Sequence, residues 1–335
     1  IQHGQEAVCF AALARKEMGV DRHGNPYMKC HFRDKRMTLV SPLWSSNAYL
    51  GLANNWMVGE AFRIRVRGDH NVRYGMQIEL LEIRAVTPED VEDGYDYHDL
   101  VDSSDYSTDF LYGRIMHFVE RDIDEPPLKQ LVTLILEDHK DLFLKMPAAQ
   151  HIHHSYTAGL AEHVWSMTRI AVFLADHYKR YYHGLNPPLN KGVIVAAAIL
   201  HDIGKLKELQ YHPVEAKYTV LGRLVGHVLL GRDLVRDVAR RVEGLSEETL
   251  LLLEHAILSH HGREEFGAPK APQTIEALIV HYADELDSKV NAVVGHRMKP
   301  SEEAFTEKIF ALNNRQFYRG VPREDRLSEP AEPAF

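Results

Sequence analysis

The first 85 residues contain short segments in which apolar and polar positions alternate, each followed by turn-forming residues. A period of two places the apolar side chains on one face of a strand. Residues 22–26 (RHGNP) and 71–75 (NVRYG) supply the Gly, Asn and Pro that reverse the direction of a chain. The pattern predicts five strands, at residues 8–13, 27–32, 37–43, 62–66 and 76–83. Five strands in so short a span indicate a small all-β barrel.

One predicted strand, residues 62–67 (FRIRVR), alternates apolar residues with arginines, so one of its faces is predicted to be buried and the other cationic. An OB-fold fits these features because such barrels bind single-stranded nucleic acid through a basic groove and stacking aromatic rings. The predicted nucleic-acid contacts are Arg63, Arg65, Arg67, Arg73, Trp44 and Tyr74, with Tyr49 and Trp56 as further candidate rings. The alternative is that the rings fill the barrel core and the arginines only solubilise its surface.

Apolar residues recur at intervals of three and four from about Phe110 onward, which predicts helices. The predicted helices lie at residues 128–144, 158–178, 193–206, 221–242, 249–260 and 274–294. Pro187, Pro188 and residues 267–272 interrupt the pattern between helices. The chain is therefore predicted to be multidomain, with an N-terminal small all-β OB-fold barrel followed by an all-α domain.

Changes in composition set the predicted domain boundaries. The barrel is assigned to residues 1–86 and the helical domain to residues 113–298. Between them, residues 87–112 carry nine Asp or Glu and no Lys or Arg, which indicates an acidic linker. Residues 299–335 are polar and end in LSEPAEPAF, a composition that cannot bury a core, so we expect a mobile tail.

Charge and cysteine content narrow the classes of function. The formal net charge is -9, yet residues 1–86 carry 12 Lys or Arg against 8 Asp or Glu, whereas the remainder carries 27 against 40. A polyanion is therefore expected to contact the N-terminal segment. No apolar run is long enough to span a membrane and no secretory signal is evident, so we expect a cytoplasmic location without membrane contact. Two cysteines are too few for a thiolate metal site, which leaves His and carboxylates as ligands.

The candidate chemistry lies in the helical half, in a set of histidines and aspartates. The set comprises His163, His201, Asp202, His227, His260, His261 and Asp284. A single His on an apolar helix is usually a core residue, but seven such side chains favour a shared role. Asp202 follows the apolar segment 193–200, and a buried carboxylate beside imidazoles requires a metal or a strong ion pair, for which Lys205 is the evident basic partner. Imidazole and carboxylate suit Zn, Mn, Fe, Co and Ni, and a carboxylate can bridge two cations.

The order of these residues, His163, then His201 and Asp202, then Asp284, resembles the H…HD…D pattern of the HD-domain phosphohydrolase superfamily. His227 and the pair of His260 and His261 resemble the additional ligands of its dinuclear branches. Four segments joined to an N-terminal barrel resemble the YhaM-type 3'-to-5' exoribonucleases over residues 7–295. These segments are GLAEH (159–163), LHDIGK (200–205), GRLVGH (222–227) and LSHHG (258–262).

The resemblance implies two divalent metal ions bridged by Asp202. One ion would be bound by His163, His201, Asp202 and Asp284, and the other by His227, His260 and His261. Manganese is the expected metal, with Fe, Co, Ni, Zn or Mg as alternatives. A metal-bound hydroxide would attack the phosphodiester while the ions stabilise the developing charge, so no protein nucleophile is required.

Five further residues are candidates for contacts with the substrate or with the ligands. Lys205 follows Asp202 by three residues, so on a helix it faces the same way and is predicted to contact the scissile phosphate; a solvated lysine at a helix end is the alternative. His154 and Tyr156 precede the first ligand and are candidates for substrate or supporting contacts. His255 and His281 lie near ligands on their helices, which favours a supporting role.

The predicted function is hydrolysis of single-stranded RNA, with DNA as a further possible substrate, from the 3' end to nucleoside 5'-monophosphates. A cyclic-dinucleotide phosphodiesterase of the HD-GYP type is an alternative, because residues 259–269 share its outline although they lack the Tyr of that turn. A nucleotide phosphohydrolase, a di-iron oxygenase and a non-catalytic nucleic-acid-binding protein are further alternatives. The basic strand at residues 62–67 favours the nuclease, since a cyclic-dinucleotide enzyme or an oxygenase has no need of it. The oligomeric state is left open.

Overall fold

A computed structural model describes residues 2–35, 37–71, 75–96, 99–149, 156–211, 216–263, 268–299 and 301–320. The N-terminal part is a closed five-stranded β-barrel and the C-terminal part is helical, so the predicted multidomain fold is confirmed. Within the described ranges, no helix combines the length and the apolar character needed to cross a membrane. Arg73, Tyr74 and His154, which were predicted to contact nucleic acid or substrate, lie outside these residues.

The barrel consists of β1 (Glu6–Val20), β2 (Pro26–Arg33), β3 (Thr38–Leu43), β4 (Ala61–Asn71) and β5 (Gly75–Ala85). The strands close into a ring in the order β1-β2-β3-β5-β4, which confirms the predicted OB-fold. Strand β1 pairs with β4 through residues 6–12 and with β2 through residues 12–20, with a register shift between Leu13 and Arg15. Because a bulge bends and twists a strand, β1 can contribute to both sides of the ring.

Alternating apolar residues fill the barrel, as the pattern predicted. Phe62 packs edge-on against Phe32 and beside Trp56, and Tyr49 also packs on this core. For Tyr49 and Trp56, the interpretation as core rings is therefore confirmed. Helix α1 (Leu50–Ala53) follows β3, and the Lys16 ammonium donates to three main-chain carbonyls at its C-terminal end.

The segment predicted as an acidic linker, residues 87–112, packs against the barrel. Leu100 and Val101 are buried in a small cluster with Ala12 and Ala61 of the barrel. Burial of these apolar side chains fixes the connection between the two parts of the chain. The next helix begins inside this segment, at Thr108.

A buried ion pair shows how so acidic a segment can pack against the barrel. Asp90 lies in a short 3-10 turn (Pro88–Val91), is 3% exposed, and accepts two hydrogen bonds from the Arg84 guanidinium. The Arg84 guanidinium lowers the pKa of the Asp90 carboxyl below its usual range. An acidic residue can therefore be structural here because Arg84, next to the last residue of β5, neutralises it.

The helical domain is built around one apolar helix. Its helices are α2 (Thr108–Asp122), α3 (Pro126–Phe143), α4 (Gly159–Tyr181), α5 (Lys191–Leu200), α6 (Lys205–Glu208), α7 (Val220–Val225), α8 (His227–Ala239), α9 (Glu247–Ser259) and α10 (Ile275–Met298). Helix α5 is buried throughout residues 193–200 and contacts α2, α3, α4, α9 and α10. A helix that is apolar on all sides belongs in the middle of a bundle. The chain therefore leaves α5 at the centre of the domain, directly at His201.

Two predicted helices, residues 193–206 and 221–242, are each broken into two. Helix α5 ends at Leu200 and α6 begins at Lys205, whereas α7 and α8 are separated by Gly226, whose φ is +81°. The turn before α6 packs against the main chain of α8, since a Cβ added to Gly204 would lie 1.9 Å from the His227 carbonyl oxygen. A hairpin of β6 (Leu209–Gln210) and β7 (Lys217–Tyr218) was not predicted, because two-residue strands carry no pattern.

The prediction of a mobile tail after residue 298 is wrong for residues 301–320. Thr306, Ile309 and Leu312 are all buried, and antiparallel bridges join Phe305 to Tyr318 and Ile309 to Arg315. The segment is polar on average, but three of its side chains are buried, and Arg319 donates to the carbonyls of Arg297 and Lys299 at the end of α10. Average composition therefore concealed an ordered element.

Candidate metal centre

Five parts of the helical domain bring all seven predicted ligands to one place. Helix α4 carries one ligand, the turn after α5 carries two, α8 begins with one, the end of α9 carries two, and α10 carries one. In that order they are His163, His201, Asp202, His227, His260, His261 and Asp284. His163, His201, Asp202 and His260 are at most 3% exposed. The structure thus brings together residues that are 121 positions apart in sequence.

The Asp202 carboxylate stands between two groups of ligand atoms. Its Oδ2 lies 3.3 Å from His201 Nε2, and His163 Nε2 lies 3.2 Å from Asp284 Oδ1 on the same side. Its Oδ1 lies 3.3 Å from His227 Nε2 on the other side, where His227 Nε2 is 3.2 Å from His261 Nε2. His260 Nε2 approaches the same oxygen at 3.8 Å. The two oxygens of one carboxylate therefore face two separate sets of imidazoles.

Hydrogen bonds fix which ring nitrogen each histidine presents to the centre. His201 Nδ1 donates to the Ala198 carbonyl at 2.9 Å, and His260 Nδ1 donates to the Ile257 carbonyl at 2.7 Å. A carbonyl can only accept, so both Nε2 atoms carry a lone pair when the rings are neutral. His227 Nδ1 is held in the same way by Glu208 Oε1 at 3.0 Å. Imidazoles oriented through Nδ1 with a free Nε2 are typical metal ligands.

The atoms at the centre fit a divalent cation better than hydrogen bonding among themselves. Asp202 Oδ1 and His260 Nε2 are buried, and neither has a hydrogen-bond partner among the residues that the structure describes. Burying polar atoms without a partner is costly. The ligand atoms form three overlapping groups, and within each group the atoms lie within 4.8 Å of one another. The HD-type set of His and Asp residues is therefore suited to bind divalent metal.

The protonation of the centre is also consistent with metal binding. Burial lowers the pKa of His260 well below its ordinary value, so this ring is neutral. Burial alone would also lower the pKa of His163, but its hydrogen bonds to Asp284 and Asp287 outweigh that effect and raise the pKa to about 9. Since an imidazole ligates only when it is deprotonated, a cation bound at His163 displaces a proton.

Lys205 lies in the centre and pairs with Asp202. Its Nζ is 2.5 Å from Asp202 Oδ2, and the residue is only 8% exposed. Burial opposes ionisation of Asp202, but the Lys205 ammonium and the nearby imidazoles hold the pKa of its carboxyl well below the usual range. The alternative of a solvated lysine at a helix end is therefore wrong.

Supporting residues that the sequence analysis missed lie behind the ligands. Asp287 Oδ2 accepts from His163 Nδ1 at 2.7 Å, and its other oxygen accepts from the Ser166 hydroxyl. Glu208 Oε1 accepts from both the main-chain nitrogen and the ring of His227. Asp287 follows Asp284 by three residues on α10, and this spacing was the available signal. Glu208 had no signal in the sequence, because it reaches His227 only through the way in which α6, α7 and α8 fold together.

The other predicted supporting residues differ in where they lie. His281 donates from Nδ1 to the His260 carbonyl at 2.7 Å, so it holds the chain that carries a ligand. The His255 ring instead accepts from the Gln273 main-chain nitrogen, and its supporting role stays a prediction. Tyr156 interacts with Glu162 and Asn291. Its burial, and to a smaller extent the negative charge of Glu162, raise the pKa of its hydroxyl far above the usual range.

A cavity of about 260 Å³ opens onto the centre. Asp202, Lys205, His260, His261 and Asp284 line one part of it. His281 and three further residues of α10, Glu285, Ser288 and Lys289, continue the lining, and the remainder comes from the segment after α10. A small molecule or chain end can therefore reach the buried ligand atoms.

The arginines of β4 do not form the free cationic face that the pattern predicted. Register pairs Arg65 with Glu82 and Arg67 with both Glu6 and Glu79, and each pair forms a salt bridge across the strands. Arg63 is bridged to Asp93 at 3.2 Å. The buried face of the strand is as predicted, but acidic side chains opposite the arginines neutralise the exposed face.

An exposed aromatic pair lies elsewhere on the barrel. Trp44, which follows β3, is 49% exposed, and the centroid of its ring lies 4.9 Å from the ring centroid of Tyr27 on β2. Lys29 and His31 follow Tyr27 at alternate positions on the same outward face of β2. Of the predicted aromatic contacts that the structure describes, Trp44 alone presents an exposed ring, and Tyr27 is its unpredicted neighbour.

The chain is similar to known proteins, both in its helical domain and over nearly its whole length. The HD domain family matches residues 160–289, which span all seven ligands. The chain is 31% identical to the 3'-5' exoribonuclease YhaM of Bacillus subtilis, over 94% of this chain and 95% of that protein. It is 32% identical to the protein of the same name from Geobacillus sp., over 95% and 93%, and 33% identical to that of Bacillus pumilus, over 94% and 95%.

Proposed function

The chain belongs to the family of YhaM-type 3'-5' exoribonucleases, and from this premise we propose that it hydrolyses single-stranded RNA from the 3' end to nucleoside 5'-monophosphates. The observation that carries the proposal is the Asp202 carboxylate, whose two oxygens face separate sets of imidazoles beside an open cavity. Single-stranded DNA is a second substrate to be tested. A cytoplasmic location is part of the same proposal.

The proposed cofactors are two divalent ions, with manganese as the expected metal. The first would be held by His163, His201, Asp202 and Asp284, and the second by Asp202, His227, His260 and His261. When bound, such ions supply a nucleophilic water at neutral pH and neutralise charge on the phosphate. Imidazole and carboxylate ligands also suit Fe, Co, Ni and Zn, so the metal must be identified by analysis.

The residues of the chain then have distinct proposed roles. Asp202 bridges the two positions, and the Nδ1 hydrogen bonds of His201, His227 and His260 orient their rings. Lys205 lies at the cavity with its ammonium beside Asp202, where it can bind an oxygen of the scissile phosphate. The fold therefore supplies orientation and charge, and it needs no covalent nucleophile of its own.

The barrel is proposed to bind the strand through Trp44 and Tyr27 rather than through the arginines of β4. Aromatic stacking is indifferent to sequence because every base has a flat face. Lys29 lies on the same face of β2 and can approach the phosphates between stacked bases. Arg63, Arg65 and Arg67 are already paired with carboxylates, so their contribution is expected to be small.

The first prediction tests the reaction and its direction. With manganese present, RNA labelled at its 5' end should give a ladder of shortening fragments and release nucleoside 5'-monophosphates. A fully paired duplex should resist, since the proposed stacking surface requires exposed bases. The measurement is gel electrophoresis of the strands together with chromatography of the products, with Mg, Fe and Co as parallel metals.

A circular single strand of the same sequence is the control. It offers no end and should remain intact, so cleavage of the circle would contradict the exonuclease mode. Release of nucleoside 3'-monophosphates would contradict the proposed position of the cut. Hydrolysis of cyclic dinucleotides in place of RNA would support the alternative phosphodiesterase.

The second prediction concerns the aromatic pair on the barrel. Trp44→Ala should weaken binding to single-stranded RNA by about fivefold to a hundredfold, because one stacked base contributes about 1–3 kcal/mol. The dissociation constant should be measured without divalent metal, by fluorescence anisotropy of a labelled strand. Met57→Ala, which removes a 70% exposed apolar side chain from the same domain, should leave binding unchanged. Equal binding by the Trp44 variant and the parent would remove this surface from the proposal.

A further inference from the structure

The cavity above the metal centre is completed by a turn that the sequence analysis assigned to the tail. Ala311, Leu312, Asn313 and Arg315 line it together with the ligand residues. Its volume of about 260 Å³ is slightly below the range of about 300–1,000 Å³ that is usual for small-molecule sites. A cavity of this size has room for the end of a strand but little more.

The conformation of this turn is specified by its sequence. The Ile309 nitrogen donates to the Arg315 carbonyl, and the Asn314 nitrogen donates back to the Ile309 carbonyl. Asn313 and Asn314 have φ values of 57° and 56°, in the left-handed region that Asn adopts more readily than other side chains except Gly. Two consecutive asparagines thus close a compact turn at residues 309–315.

The turn is held firmly against α10, which carries Asp284. Ile309 and Leu312 are 3% and 2% exposed, and the Thr306 hydroxyl accepts from the Phe317 main-chain nitrogen. Arg319 donates to the carbonyls of Arg297 and Lys299 at the end of α10. These contacts fix the position of the turn relative to the metal ligands, so it can act as a rigid wall.

Arg315 supplies a cation to this wall. Its Nε donates to the Leu312 carbonyl at 3.0 Å, which orients the guanidinium. No carboxylate of the described residues forms a salt bridge with it, whereas Lys205 and Lys289 in the same cavity pair with Asp202 and Glu285. A guanidinium with donors to spare beside a metal centre is suited to bind phosphate.

We propose that the turn at residues 309–315 holds the 3'-terminal nucleotide in the cavity, with Arg315 binding a phosphate of the strand and the Asn313 amide contacting the terminal sugar or base. The inference rests on the proposed function, because it takes a nucleic-acid strand as the substrate. It assigns a substrate-positioning role to a segment that contributes no metal ligand. It also explains why only a chain end would be cleaved, since the turn bounds the cavity.

The test compares three variants on RNA and on bis(p-nitrophenyl) phosphate, a small diester without a strand. Arg315→Ala should raise KM for single-stranded RNA by about tenfold to a hundredfold, the range for a lost hydrogen bond to a charged group. Its kcat should change much less. Asn313→Gly keeps the positive φ while removing the amide, so it should raise KM by a smaller factor with the turn intact. Lys308→Ala removes an exposed cation of the same segment that does not line the cavity, and it should match the parent.

The outcomes separate this inference from the proposed function. A loss on RNA at least tenfold larger than any loss on the small diester supports a positioning role. Equal losses on both substrates, or an unchanged KM for RNA in both the Arg315 and Asn313 variants, would overturn it. If the parent hydrolyses the small diester but no RNA, the proposed function fails before the variants are compared.

Discussion

Replacing Asp202 by Asn should abolish RNA hydrolysis and disturb both proposed metal positions at once. The substitution keeps the shape of the side chain but removes the charge that both groups of imidazoles face. An amide cannot bridge two cations in place of a carboxylate. We expect a loss in kcat of about a thousandfold or more, the upper range for losing one preorganised electrostatic contact. Turnover of RNA and elemental analysis of the purified protein measure the two effects.

Two further variants make this result specific. Asp233→Asn changes an exposed carboxylate on α8 and should leave metal content and turnover unchanged. His227→Ala removes a ligand from one side of Asp202 only, so it should lower metal content by one ion rather than two. An Asp202→Asn protein that retains two ions and full turnover would show that the bridge is misassigned.

Replacing Lys205 by Ala should slow hydrolysis by about a hundredfold to a thousandfold, while both metal ions stay bound. Lys205 is not among the proposed ligands, yet its ammonium is buried at the cavity beside the bridging carboxylate. Its removal takes away a fixed positive charge where negative charge develops on the phosphate. Turnover at saturating manganese should therefore fall much more than the affinity for RNA.

The matched control is Lys207→Ala, which removes an exposed lysine two positions further along α6. This variant should behave like the parent in turnover and in metal content. A Lys205→Ala protein that loses its metal would instead assign the lysine to charge balance of Asp202 alone. A Lys205→Ala protein with the turnover of the parent would exclude any role in the reaction.

Much of the fold could be predicted because its periodicities are local. The five strands alternate apolar and polar residues, and the bounds of β2 and β3 differ from the predicted ones by at most one residue. The ligands could be predicted for a different reason. Histidines and aspartates in apolar helices are costly to bury, so a set of seven indicates a shared purpose.

What the sequence did not predict depends on pairing between distant segments. The arginines of β4 were read as a cationic face, but the registers of β1 and β5 place Glu6, Glu79 and Glu82 opposite them. Period-two patterning reports which face is exposed and carries no information about the neighbouring strand. The same limit applies to Glu208 at His227, because only the folded chain brings α6 and α8 together.

The contact between Gly204 and α8 has a consequence for the separation of the two sets of imidazoles. The turn that carries His201 and Asp202 meets the first turn of α8 through main-chain atoms, with no side chain between them. Side chains can change rotamer to absorb a displacement, whereas two backbones in contact cannot. The backbone contact therefore sets the distance from Asp202 to His227. A residue larger than Gly at position 204 would push α8 away and lengthen the distance from Asp202 to His227. A single added methyl group would therefore separate His227 from the bridging carboxylate.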